Sequence, residues 1–228
     1  MIVEWVIASA ASIASSIGSA CLVGTLLIKK GFSRVSAEVV ASGIAQVVAA
    51  SVVLYFMVRV GLASLFTVHV SPQLLITWLV ITAVALLTAV VSDEVGDPMN
   101  ASVVKGFLAL YGVCRPCFFV LPLIVAPVCE EVLFRGAVQA WLATVIGVWP
   151  ALLIAVATFT LAHVRALGFC KSLIPVAVLA ALLGLPVALY GTLVPSMITH
   201  ALCNLVGMRN ALVFLRTNQL AGSAGGVK

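Results

Sequence analysis

Charge is what this chain has least of. Lys, Arg, Asp and Glu make up 8% of its residues, against about 25% in a soluble domain. With 64% hydrophobic residues and a mean hydropathy of +1.29, an ordinary soluble fold is excluded. An all-α polytopic membrane protein is predicted instead. Basic residues are missing from the start: Met1-Ile-Val-Glu4 carries an acid and no Lys or Arg. No cleavable signal peptide is therefore expected, and the first apolar run is expected to stay as a span. Nowhere does a basic cluster alternate with aromatics, so no nucleic acid is expected as a partner. The net charge of +5 falls mostly in short loops, where it sets orientation and meets the headgroups of membrane lipids.

Metal and redox signatures are missing too. The chain has no HExxH helix. Cys114-Arg115-Pro116-Cys117 has the CxxC form but neither a surrounding βαβ pattern nor the second pair that a structural zinc would need. The six cysteines (Cys21, Cys114, Cys117, Cys129, Cys170 and Cys203) lie scattered in apolar segments and read as small buried hydrophobes. No cofactor is expected. With no repeat and no long linker, residues 1–228 read as one membrane domain: scaffold helices over 1–100, a core over 101–215 and a flexible tail over 216–228.

Long apolar runs are abundant. A hydrocarbon core of about 30 Å needs about 20 apolar residues per helix. The runs at 2–28, 37–59, 73–92, 105–135, 150–166, 172–190 and 192–214 predict about seven membrane helices, six to eight. Segment 105–135 contains Pro116, Pro122 and Pro127 and reads either as one kinked span or as a span plus a re-entrant piece. Residues 137–148, with Gln139 and Trp141, read as a short interfacial helix, and Pro150 suits the first turn of the next span. Rows of small residues (Ala8, Ser12, Ser16, Ala20, Gly24 and Ala37, Ala41, Ala45, Ala49) predict close packing of the first two helices. Basic residues at 29–34, 165–171 and 209–216 share one side if seven spans start with the N-terminus outside. Arg115 either snorkels or lines a polar cavity.

Six polar residues stand in or beside these runs: Glu130, Glu131, Arg135, His163, His200 and Asn204. An ionisable group at membrane depth costs a few kcal/mol, so it faces a bundle interior and marks function. Glu131/Arg135, Phe159/His163 and His200/Asn204 are all spaced i,i+4, as three helices presenting polar groups to one buried site would be. On an α-helix Glu131 and Arg135 share a face, while Glu130 points about 100° away. Two carboxylates with different partners can separate acid and base roles. A desolvated Glu near a His can take a proton from water, and His200 and Asn204 can offer N–H donors to a developing oxyanion. These are parts for water attack on an amide.

The stretch Cys129-Glu130-Glu131-Val132-Leu133-Phe134-Arg135 resembles the EExxxR motif of the CPBP family, the type II CAAX-prenyl endopeptidases and bacteriocin-processing or self-immunity (Abi-like) proteins. Phe159-Thr160-Leu161-Ala162-His163 resembles its FxxxH motif. His200-Ala201-Leu202-Cys203-Asn204, preceded by Tyr190-Gly191-Thr192-Leu193-Val194-Pro195, resembles its HxxxN motif. The resemblance implies a glutamic intramembrane endopeptidase without a metal, its conical polar cavity inside the bundle. Glu130 would be the general base, His163 would help hold the water, and His200 and Asn204 would stabilise the oxyanion. Glu131 and Arg135 would support by pairing, and Phe159 by packing. The substrate would be a protein or peptide, lipidated or membrane-anchored ones included, met in the plasma membrane if the source is prokaryotic. Three rivals stay open. They are a zinc protease with Glu130, His163 and His200 as ligands, a non-catalytic immunity or scaffold protein, and a transporter, the last having no pair of resembling halves in its favour.

Overall fold

The computed structural model describes residues 2–31, 34–94, 111, 115–167 and 173–224. Asp97, residues 105–110, Cys114, Cys170 and Lys171 lie outside them. Seven helices and no strand make up the described residues, as expected of an all-α membrane protein. They are α1 (Ile2–Lys29), α2 (Arg34–Arg59), α3 (Pro72–Glu94), α4, α5 (Val148–Leu167), α6 (Leu173–Tyr190) and α7 (Val194–Ala224). Helix α4 is composite and unbroken: Arg115–Val120, a π-helical Leu121–Val125, Ala126–Glu130, a second π-helical stretch Glu131–Ala140, then Trp141–Ile146. Three helices are long and apolar enough to cross a bilayer (Ala37–Arg59, Pro72–Val91, Leu173–Tyr190), with shorter apolar helices at Ile17–Lys29 and Val148–Val164.

Local chemistry explains the ends. Ser71 caps α3 by accepting the Leu74 amide on its hydroxyl at 3.1 Å, with Pro72 opening the helix. Gly147 (φ 89°) and Gly191 (φ 63°) turn the chain between α4 and α5 and between α6 and α7, in a backbone region that suits glycine. Residues 137–146 do not form the separate interfacial helix that their composition suggests. They continue α4 through Gly136, and Gln139 is buried with its amide donating to the Gly184 carbonyl at 2.8 Å.

Large apolar side chains such as Leu79 (65% exposed), Leu153 (69%) and Ile174 (67%) point outward. In water that outline would be untenable; in lipid it is the expected one. The interior gathers Val53 and Met57 of α2, Leu65 of a short 3₁₀ turn (Leu62–Phe66), Val132 of α4, Val187 of α6 and Leu193. A bond from the Leu193 amide to the Leu65 carbonyl at 2.8 Å pins that turn under the start of α7. Small residues line the α1–α2 contact as predicted: Gly24 lies against Ala41, and the Ser12 hydroxyl donates to the Ala49 carbonyl at 3.3 Å.

Candidate active site

Helix α4 carries its two glutamates just where its register changes. In the π-helical turn Leu121–Val125 the Ala126 amide bonds back five residues to the Leu121 carbonyl. In that register the donor for the Pro122 carbonyl would be the amide of residue 127, which is a proline and has none. The Asn204 side chain of α7 supplies the missing donor, its Nδ2 meeting the Pro122 oxygen at 2.8 Å. Asn204 thus ties α7 to α4 through a carbonyl that Pro127 leaves open.

One turn earlier on α7, His200 enters between the glutamates. Its Nδ1 donates to Glu131 Oε1 at 2.9 Å, and its Nε2 faces Glu130 Oε2 at 3.8 Å. Adjacent glutamates, which α-helical geometry would turn apart, therefore reach opposite edges of one imidazole. Glu131 and Arg135 make the i,i+4 pair, Oε2 to Nε at 3.4 Å, both fully buried. Arg135 also donates from Nη2 to the Ala180 carbonyl of α6 at 3.0 Å, and its guanidinium stacks over the Phe159 ring at 4.8 Å. A buried ion pair needs such extra partners to offset desolvation.

Phe159 of α5 is the hub of the cluster. Its ring contacts Arg135, lies 4.5 Å from the His163 ring and 6.1 Å from the His200 ring. The Nδ1 of His163 bonds the Phe159 carbonyl at 2.8 Å. Since a carbonyl only accepts, that nitrogen carries a proton, which in the neutral ring makes Nε2 the acceptor. His163 joins the cluster through the Phe159 ring, while Glu130, Glu131, Arg135 and His200 touch directly. Among the described residues no three His, Cys, Asp or Glu side chains converge as a metal site requires.

Two contributions come from the scaffold helices and escaped the sequence reading. Gln46 of α2 donates from Nε2 to Glu130 Oε1 at 3.2 Å. Trp78 and Thr82 of α3, one turn apart, both bond the Thr199 hydroxyl, at 3.0 and 2.8 Å, and hold α7 immediately before His200. A polar Gln inside the apolar run 37–59 was the available signal for the first. For the second, the only sign was an i,i+4 pair of groups able to hydrogen-bond.

The cysteines beside the motifs make no disulfide. Cys129 and Cys203 are both buried and unbridged, Cys129 within the apolar core; Cys21 is exposed. A nucleophilic thiolate needs a cation beside it. The Cys129→Ser/Cys203→Ser protein is expected to keep most of its activity and to form no covalent substrate adduct by mass spectrometry; an adduct on either sulfur would make Glu130 a supporting residue.

No curated protein and no solved structure shows significant similarity to the chain. A family model does match: residues 113–206, which contain all of the motif residues and leave α1–α3 outside, fit Type II CAAX prenyl endopeptidase Rce1-like proteins, the protease family that the three motifs resemble.

Proposed function

We propose that this chain is an intramembrane endopeptidase in which Glu130 activates a water for attack on a peptide bond. The observation that carries this reading is the His200 imidazole held between two carboxylates, Nδ1 on Glu131 and Nε2 toward Glu130. Glu130 Oε2 is free of the Gln46 bond and takes a proton from the water; the hydroxide adds to the carbonyl, and the proton passes on to the leaving amine. His163, with Nε2 as acceptor, orients the same water. The oxyanion is met by His200 Nε2 in its protonated form and by the second Nδ2 hydrogen of Asn204, the first being held by Pro122. Glu131 and Arg135 fix the imidazole; Phe159 keeps Arg135 and both histidines in one packed group.

The substrate is an extended segment of a protein or peptide that can reach a site inside the bundle. A prenylated CAAX tail is the class that the family's description names, and membrane-anchored sorting tails or bacteriocin precursors present the same kind of segment. The test compares cells bearing the wild-type chain with cells bearing Glu130→Gln, by proteomics of peptide termini. New termini that depend on Glu130 are expected, and purified protein treated with a strong chelator should still cleave. Identical terminal profiles would leave a non-catalytic immunity or scaffold role, and chelator-sensitive cleavage would move the chemistry to zinc.

A further inference from the structure

The family match begins at residue 113, yet the carboxylate proposed as base is held by a residue far outside it. Gln46 Nε2 lies 3.2 Å from Glu130 Oε1, across 84 positions of sequence. A carboxylate accepts only, so the amide must present its nitrogen there. With Oε1 taken, Oε2 is the oxygen left facing His200 Nε2 at 3.8 Å. Both side chains are only part-buried, so the protein does not seal this end of the cluster.

The contact is flanked by two glycines, one on each helix. Helices α2 and α4 approach closely at three points in the same order along both chains. A Cβ on Gly43 would lie 3.3 Å from Leu121, and one on Gly136 would lie 2.6 Å from Met57 Cε, with Gln46–Glu130 between them. Gly136 cannot take a side chain without displacing Met57, which is fully buried. Glycine at these positions leaves room for the Leu121 and Met57 side chains where α2 and α4 meet on either side of the Gln46–Glu130 bond. The titratable groups about Glu130 include Cys129, Glu131 and Arg135 on α4 and His200 on α7, with His163 of α5 linked to them through the Phe159 ring, while α2 contributes an uncharged donor through Gln46.

We propose that Gln46 is a positioning residue of the site, a neutral donor that pins one oxygen of Glu130 and leaves the other to act on water. This rests on the reading of Glu130 as the base. A neutral amide orients the carboxylate without competing for its proton, whereas a carboxylate in that place would raise the proton affinity of Glu130.

The test measures kcat and KM against pH on a quenched farnesylated CAAX peptide for wild type, Gln46→Leu, Gln46→Glu and Glu130→Gln in proteoliposomes. Gln46→Leu is expected to lower kcat about tenfold with KM changed by less than about twofold, since orientation and not substrate contact is lost. In Gln46→Glu the acid limb of the kcat/KM profile is expected to move up by about one pH unit. A merely structural glutamine would move neither while the protein melts as wild type. Gln46 variants with wild-type profiles beside an inactive Glu130→Gln would overturn the role of Gln46 alone; an active Glu130→Gln would overturn it together with the assignment of the base.

Discussion

Arg135→Ala is expected to yield little folded protein. The guanidinium is fully buried, 3.4 Å from an equally buried Glu131, bonded to the Ala180 carbonyl and stacked on Phe159. Removing it leaves a carboxylate in a dry interior with His200 as its remaining partner, and breaking a buried pair in this way costs about 3–5 kcal/mol. Set against a total stability of about 5–15 kcal/mol, that is a large fraction. Arg135→Lys is expected to help little, because an ammonium has no planar fork to reach Glu131 and Ala180 together and stacks poorly on the ring. The informative partner is the Glu131→Leu/Arg135→Met double variant, in which both charges are replaced by apolar groups of similar size. It should recover much of the melting temperature and remain inactive, because His200 Nδ1 then has no carboxylate to hold it. Melting in detergent decides: Arg135→Ala that melts with wild type would show that Arg135 neither balances Glu131 nor holds α4 to α6.

Glu130→Ala and His200→Ala are each expected to lower kcat by about 10³-fold, within the range of about 10²–10⁴ that general acid–base groups contribute. Both should leave a folded protein: Glu130 lies at the accessible end of the cluster, with its side chain 15% exposed. Combining the two substitutions should cost little more than either alone, since groups that act as one unit are far from additive. His163→Ala should fall in the same class, and the Glu130→Ala/His163→Ala pair should also be non-additive. Single-turnover rates on the farnesylated peptide read this directly. If the losses multiply, the two residues serve separate steps; wild-type turnover from Glu130→Ala would remove Glu130 as the base.

Much of this was legible in the order of residues, and the reasons differ by element. The Glu131–Arg135 pair and the Phe159–His163 contact are local, set by helical spacing alone, and both appear in the structure. Pro72 and Pro150 stand near helix starts, where a missing amide does no harm. Three features were not legible. The shared grip of Glu130 and Glu131 on His200 depends on where α7 lies and on an imidazole having two nitrogens, which no spacing within α4 reports. Pro122 and Pro127 announced either a kinked span or a span with a re-entrant piece, and over the described residues the outcome is one helix with a wider register repaired from another helix. Gln139 reads from sequence as interfacial and Gln46 carries no reading there, and only the packing of α2 and α6 on α4 gives each of them a partner.

The carbonyl that Pro127 leaves open has a consequence for how the bundle can breathe. Drawing α7 away from α4 would bare the Pro122 oxygen to acyl chains, which have no donor to offer; an orphaned buried acceptor costs about 1–3 kcal/mol. The α1–α2 seam is of another kind: small side chains meet there, Gly24 against Ala41, with a longer bond from the Ser12 hydroxyl to the Ala49 carbonyl. The seam that joins the glutamates to His200 and Asn204 is the stitched one.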